Sequence, residues 1–318
     1  MAQADRVFSV SYIGDLVAAT AALPLLVSQE RRVVVVAAPA AASLLRGDER
    51  VAAVRLVRSS RSVSWRAEVL AHLLRARQAG ESVLNLEVYP PRWRFVVRWC
   101  QLFRLDARHL DLPALLEDNR RSALGEPTTR PHRSDYYALA VGSQPPAPPP
   151  QLAVDAALAG RACERLLGGR TNGQPLVLAH LGSSDPGRRP PLELMAALLR
   201  HLAADGACVP LLVGSASEAG LVRHVAERLG PTSPAVDACG RLDLRELAAL
   251  TSRARLFVGG DSGPLKIAEA VGAHTLSFWH TGQPSAAFAG PRGAGHVTLP
   301  ASVSSEAALA AARQLLSH

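Results

Sequence analysis

The fold class is indicated most clearly by the stretch Arg255-Leu-Phe-Val-Gly-Gly-Asp-Ser-Gly-Pro-Leu-Lys-Ile-Ala-Glu-Ala-Val-Gly272. Its apolar run Leu256–Val258 is typical of a buried parallel strand. Two glycines then end the strand, Asp261 and Ser262 are good N-cap residues, and Pro264 suits the first turn of a helix. The free N–H groups and the dipole of such a helix bind anions, commonly phosphate. On spacing alone, an ordinary strand–helix turn with a capping aspartate explains the stretch equally well.

Strand and helix patterns alternate along the whole chain, which predicts an α/β fold with parallel sheets and ligands at the strands' carboxyl ends. The pattern is interrupted at Gln144-Pro-Pro-Ala-Pro-Pro-Pro150, which favours polyproline II and excludes a helix. The 318 residues fit two domains of about 150 residues each. We therefore expect an N-terminal domain over residues 1–150, a C-terminal domain over 151–318, and a linker near 144–150.

The charge balance narrows the choice of partners. The formal net charge of +8 favours anionic partners such as sugar nucleotides, phosphorylated glycans or acidic membrane surfaces, although a solvated basic surface explains it equally well. The sequence contains no long basic run, zinc finger or RNP-type motif, so we expect no nucleic-acid binding.

Cysteine usage and hydropathy predict a cytoplasmic protein with at most peripheral membrane contact. The four cysteines are widely spread and form no Cys-x-x-Cys motif, so we expect free thiols in a reducing compartment. The N-terminal residues lead into a strand pattern instead of a signal peptide. The longest apolar segment, Val33–Leu45, contains Pro39 and is too short to span a bilayer. We also expect a monomer.

A second strand–glycine–acid pattern occurs near the N-terminus, where Ile13-Gly14-Asp15 precedes an apolar, alanine-rich helix with Thr20 and Leu23-Pro24-Leu25. Taken with Gly260-Asp-Ser-Gly-Pro264, it resembles the paired signatures of glycosyltransferase family 9, the ADP-heptose:lipopolysaccharide heptosyltransferases. The resemblance implies the GT-B architecture, in which two Rossmann-like domains with parallel sheets face a central cleft.

The resemblance assigns the sugar-nucleotide donor to the C-terminal half. In the family, the turn that follows the strand of the opening stretch holds the diphosphate. A loop that supplies hydroxyls and a phosphate-binding lysine resembles Gly182–Arg189 of this chain. The donor-binding candidates are Ser183, Ser184, Arg188, Glu218, Leu242, Asp261, Ser262, Gly263 and Lys266.

These donor candidates include departures from the family pattern. Arg188 occupies the position of the family's phosphate-binding lysine, and an arginine can bind phosphate with two parallel hydrogen bonds. Lys266 replaces a histidine and Pro190 replaces a tryptophan. Leu242 stands where an apolar residue packs on the base, and Glu218 is a candidate for the ribose. For both of these residues a structural role is an equal alternative.

The resemblance assigns the acceptor to the N-terminal half. In the family, the residue at Asp15 lies beside the acceptor and is the expected general base, whereas spacing alone explains it as a helix N-cap. Basic and aromatic residues after the predicted strands are candidates for holding the acceptor, or are solvated and packing residues. The acceptor-binding candidates are Gly14, Arg58, Arg61, Arg66 and Tyr89. The lipopolysaccharide enzymes carry a basic residue where this chain has Ser9.

These features predict an inverting glycosyltransferase that moves a sugar from a nucleotide diphosphate to a hydroxyl, with ADP-heptose as the default donor. No Asp-x-Asp motif occurs, so we expect no metal and no further cofactor. A Gly-x-Gly-x-x-Gly motif and a P-loop are also absent, which argues against NAD-dependent and ATP-hydrolysing enzymes. The acceptor is a glycan or a small molecule. The alternatives are a natural-product glycosyltransferase of the same family and a non-catalytic relative that binds a glycan or nucleotide sugar.

Overall fold

The computed structural model describes residues 4–9, 13–58, 64–171, 173–204 and 208–317. The chain divides into two compact units, the first being Met1–Ala153 with Ala287–Ala289 and the second Val154–Ala286 with Gly290–His318. Within the described residues, each unit is built around one parallel sheet whose strands alternate with helices.

The first unit contains a five-stranded sheet within the described residues. Its strands are β1 (Ala4–Phe8), β2 (Arg32–Ala37), β3 (Val51–Leu56), β4 (Ser82–Asn85) and β5 (Ala107–His109). Its helices are α1 (Ile13–Ala19), α2 (Leu23–Ser28), α3 (Pro39–Ser43), α4 (Ser64–Ala79), α5 (Pro90–Leu102), α6 (Leu112–Ala123) and α7 (Asp135–Ala140). The strand order is β3-β2-β1-β4-β5, so β1 lies at the centre and its carboxyl end leads to α1.

Helices α4 and α5 pack on the sheet of the first unit. Val69 and Leu73 of α4 and Val96 of α5 are buried in the same apolar cluster as Phe8 of β1. Such strands, covered on their faces by helices, read as nearly continuous apolar runs, as in Val33–Val36 of β2. Among the helices that the structure describes, none is both long enough and apolar enough to cross a bilayer.

Helix α6 lies in the region 106–134, whose sequence has little regular pattern and many charges. The helix begins conventionally, since the side chain of Asp111 accepts a hydrogen bond from the backbone N–H of Ala114 (3.2 Å). Its inward-facing stripe contains a buried carboxylate, Asp118, which interrupts the apolar period. That carboxylate accepts hydrogen bonds from Thr129 and from the hydroxyl of Tyr136, so its burial is compensated.

The second unit contains a six-stranded sheet within the described residues. Its strands are β6 (Leu176–His180), β7 (Val209–Val213), β8 (Val236–Asp237), β9 (Leu256–Gly260), β10 (Thr275–Trp279) and β11 (His296–Pro300). Helices α8 (Ala156–Leu167), α9 (Leu192–Ala204), α10 (Ala219–Leu229), α11 (Leu244–Thr251), α12 (Gly263–Ala270) and α14 (Ser305–Ser317) belong to this unit. The short α13 (Ala286–Ala289) has Ala286 in this unit and Ala287–Ala289 in the first. The strand order is β11-β10-β9-β6-β7-β8, which places the predicted anion-binding turn after the central strand β9.

Candidate active site

The turn between β9 and α12 has the form that the sequence predicts. Ser262 is the N-cap of α12 in an extended conformation (φ −152°, ψ 166°), and Pro264 occupies the first turn. The side chain of Ser262 makes no capping hydrogen bond to its own helix. Its hydroxyl instead lies 3.3 Å from Nδ1 of His180, the last residue of the neighbouring strand β6. The first backbone N–H groups of α12 therefore have no capping bond from Ser262, as a helix start that receives an anion requires.

The loop after β6 brings Arg188 to this turn. Nη1 of Arg188 donates a hydrogen bond to Oδ2 of Asp261 (3.2 Å), and Nε lies 3.4 Å from Oδ2 of Asp185. Asp185 also caps the short 3₁₀ turn that carries Arg188, because it accepts a hydrogen bond from the N–H of Gly187 (2.9 Å). The Arg188 side chain remains 43% exposed, so it is accessible to an anion.

The close approach of this loop to the end of β9 depends on Gly260. A Cβ atom at Gly260 would lie 2.3 Å from the backbone oxygen of Arg188 and 3.1 Å from Pro190. The absence of a side chain at this strand position is what lets the Arg188 backbone lie against β9. Ser183 and Ser184 lie on the same loop, where the Ser183 hydroxyl accepts a hydrogen bond from the N–H of Asp185 (3.3 Å) and Ser184 is exposed.

Glu218 lies beneath this loop. Its Oε2 accepts hydrogen bonds from the N–H (2.7 Å) and hydroxyl (2.9 Å) of Ser215 and lies 3.7 Å from Nε2 of His180. The neighbouring imidazole of His180, followed by the hydrogen bond from the backbone of Ser215, lowers the pKa of Glu218 from 4.5 to about 2. A Cβ at Gly182 would lie 1.5 Å from Oε1, so this carboxylate fills the space beside that glycine. These contacts tie Glu218 to the loop that carries the donor candidates.

Two further donor candidates, Lys266 and Leu242, make no side-chain hydrogen bond to Arg188 or Ser262 among those that the structure describes. Lys266 is buried one turn into α12, and its Nζ lies 3.4 Å from Oε2 of Glu269 on the same helix. Its charge is thus neutralised within the helix. Leu242 is half-buried just before α11, whose capping box is made by Asp243 and Glu246.

In the first unit, Asp15 lies in the first turn of α1, just beyond the central strand. Its Oδ1 lies 3.5 Å from Nη2 of Arg133, and both side chains are about four-fifths buried. The buried phenol of Tyr137 interacts electrostatically with both side chains. Burial raises the pKa of Tyr137, the positive charge of Arg133 lowers it, and the negative charge of Asp15 raises it further. A carboxylate held by a cation in this way is oriented, as a general base requires.

The acceptor candidates lie on loops and helix starts of the first unit. Gly14 is in the first turn of α1, and Tyr89 is the 44% exposed N-cap residue of α5. Arg58 is exposed and donates its backbone N–H to Glu68 (2.6 Å). The guanidinium of Arg66 lies 5.7 Å from the ring centre of Trp65. Arg61 lies outside the described residues.

Two residues, one in each unit, contact candidate residues but are absent from the candidates that the sequence suggested. Arg133 is separated from Asp15 by more than a hundred positions, so no local pattern connects them. The position of His180 is more readily recognised, because a polar residue that ends a fully buried strand next to a glycine loop is typical of a ligand-binding edge. Among the residues that the structure describes, no group of three or more histidine, cysteine, aspartate or glutamate residues is placed to hold a metal ion.

Comparison with known proteins identifies the class of enzyme. The family model for glycosyltransferase family 9 (heptosyltransferase) matches residues 95–292, which is more than half of the chain. The protein therefore belongs to glycosyltransferase family 9 and is a glycosyltransferase, as the paired motifs predict. A search among curated protein sequences returned no match.

Solved structures confirm the predicted α/β fold of GT-B type. A family 9 glycosyltransferase from Veillonella parvula matches with a TM-score of 0.79 and 18% identity over 99% of this chain and 97% of its own. The ADP-heptose lipopolysaccharide heptosyltransferase II of E. coli matches with a TM-score of 0.75 and 17% identity, covering 99% of this chain and 98% of its own. The E. coli heptosyltransferase WaaC, solved with ADP, matches with a TM-score of 0.67 and 14% identity, covering 98% of this chain and all of its own.

Proposed function

We propose that the protein transfers heptose from ADP-heptose to a hydroxyl of a glycan or small-molecule acceptor, with inversion and without a metal. The observation that carries the proposal is the ion pair between Arg188 and Asp261 beside the start of α12. It places a half-exposed guanidinium next to a helix N-terminus, and the two together suit a diphosphate.

The donor end supplies electrostatic stabilisation. When the bond between the anomeric carbon and the diphosphate breaks, negative charge develops on the leaving nucleotide. Arg188, the hydroxyl of Ser262 and the first N–H groups of α12 stabilise that charge, because they are oriented before the reaction begins. The hydroxyls of Ser183 and Ser184 are further donors on the same loop.

The acceptor end supplies the base. Asp15 accepts the proton of the acceptor hydroxyl while the hydroxyl oxygen bonds to the anomeric carbon, opposite the departing diphosphate. This single displacement inverts the anomeric configuration. Arg133 orients the carboxylate before the proton transfer.

ADP is proposed as the nucleotide because the structure of the E. coli heptosyltransferase WaaC holds ADP. The test is titration calorimetry of the purified protein with ADP, UDP, GDP and dTDP, each with and without magnesium. We expect ADP to bind most tightly, with the same affinity in both conditions. Selective binding of another nucleotide, or binding that requires magnesium, would contradict the proposed donor or the metal-free mechanism.

A natural-product acceptor is the second candidate for this site. The first-strand position that is basic in the lipopolysaccharide enzymes is the buried Ser9, whose N–H donates a hydrogen bond to Val36. A buried serine offers no cation to an anionic inner core, which favours a less charged acceptor. The non-catalytic alternative is distinguished by Asp15, since replacement of that residue would leave a pure binding role unchanged.

A further inference from the structure

Four aromatic side chains form a continuous row on helices α4 and α5 of the first unit. We define the aromatic row as Trp65, Phe95, Trp99 and Phe103. Successive ring centres lie 5.1, 6.0 and 5.2 Å apart. The three residues around α5 are spaced by four positions and so share one stripe of the helix. All four rings are partly exposed, although their inner edges pack on the apolar core, and the adjacent Leu102 is 63% exposed.

The two tryptophans of the row differ from the other two in the chain. Trp93 donates its indole N–H to the backbone oxygen of Leu110 (2.9 Å), and Trp279 donates to that of Pro284 (2.6 Å). Within the part of the chain that the structure describes, Trp65 and Trp99 donate to no protein acceptor. A partly exposed indole with an apolar ring and an N–H that no protein group accepts is suited to the boundary between hydrocarbon and water.

Arginine side chains surround the row. Within α4 and α5 the acidic side chain is Glu68, whereas the basic ones are Arg66, Arg75, Arg77, Arg92, Arg94 and Arg98. The guanidiniums of Arg66 and Arg92 lie 5.7 Å from the ring centre of Trp65, and that of Arg77 lies 5.9 Å from that of Phe103. Arg98 is exposed and neighbours Phe95 on the helix surface, because it is three residues further along.

We propose that the aromatic row and its arginines dock the protein on the surface of an anionic lipid bilayer. The exposed arginines would meet lipid phosphates and the rings would enter the interfacial layer, which together give reversible attachment. Charge complementarity favours an anionic bilayer over a protein partner. A second copy of this chain would present the same basic surface, and another protein would need a matching acidic face. Trp65 and Tyr89 lie at the starts of α4 and α5, at the same sheet edge as Asp15, so docking would bring that edge close to the lipid.

The test is co-sedimentation of the full chain with vesicles of phosphatidylglycerol mixed with phosphatidylcholine, and with vesicles of phosphatidylcholine alone. The altered protein carries Leu102→Asp and Arg98→Glu. The matched control carries Leu124→Asp and Arg200→Glu, since Leu124 is 62% exposed and Arg200 is exposed on α9. The changed side chains are on the surface, and thermal melting of each variant checks that it is folded.

We expect the original protein and the matched control to bind the anionic vesicles, with a blue shift of tryptophan emission. The altered protein should bind about tenfold or more weakly, because it replaces an apolar contact and a cation with two anions. The proposal would be overturned if the original protein did not bind the vesicles, or if binding by the control were weakened as much as binding by the altered protein. It would also be overturned if the two substitutions abolished a dimer of the original protein instead of its vesicle binding. The measurement does not depend on sugar transfer, so its result tests membrane docking independently of the proposed function.

Discussion

Nδ1 of His180 lies 3.3 Å from Oγ of Ser262, which joins the end of β6 to the start of α12. On its other side, Nε2 lies 3.7 Å from the carboxylate of Glu218. The imidazole thus connects a partly buried acid to the hydroxyl that borders the proposed diphosphate site, and it orients that hydroxyl.

Replacement of His180 should therefore weaken donor binding. In His180→Asn, Ser262 loses its orienting partner, and we expect the affinity for ADP to fall about tenfold, a typical effect of one lost hydrogen bond to a charged group. Calorimetry measures the change, with His201→Asn as the control because His201 is exposed on α9. Equal ADP affinity in His180→Asn and the original protein would show that the contact has no part in donor binding.

The stability of the second unit should depend on the ionisation of Glu218. Its pKa is lowered from 4.5 to about 2 in the folded chain, so the folded state binds fewer protons than the unfolded state between these values. The stabilisation is present above pH 4.5 and is lost as the pH falls towards about 2. Thermal melting across this range should show a smaller loss of stability in Glu218→Gln than in the original protein. Glu227→Gln, an exposed site on α10, should leave the slope unchanged.

Gly260→Ala should displace the loop that carries Arg188. The added Cβ would lie 2.3 Å from the Arg188 backbone oxygen, and backbone cannot move aside as a flexible side chain can. We expect a loss of stability of about 1–3 kcal/mol, in the range of overpacked sites, together with weaker ADP binding. Gly160→Ala in α8 is the control, because no atom lies within 4 Å of its Cβ position and alanine favours a helix. A melting temperature equal to that of the original protein would contradict the described loop position.

Arg133 should act on catalysis and not on the donor. Without the guanidinium, Asp15 loses the cation that orients its carboxylate, so in Arg133→Gln we expect kcat to fall about tenfold or more. The affinity for ADP should be unchanged, and Arg133→Lys should restore part of the rate because it restores the charge. Parallel losses of kcat and melting temperature, with no recovery by lysine, would point to a purely structural role.

The glycine turns and their acids could be predicted from sequence because each lies within one short, ordered segment. The strand, the N-cap and the helix from Leu256 to Ala270 are local features, and the structure contains them. The pairing of Arg133 with Asp15 arises from tertiary folding and leaves no local signal. Helix α6 has a weak sequence pattern for a different reason, since the buried Asp118 satisfies its hydrogen bonds outside the helix and breaks the apolar period.

The most direct test measures ADP release and heptose transfer from ADP-heptose in the presence of a metal chelator. The acceptors are a deacylated lipopolysaccharide inner core and a panel of hydroxylated natural products, with product mass and anomeric configuration determined. We predict an inverted heptoside from at least one acceptor, and a rate about a hundredfold or more lower in Asp15→Asn, as expected for loss of a general base. Undiminished transfer by Asp15→Asn, or no transfer from ADP-heptose to any acceptor, would contradict the account.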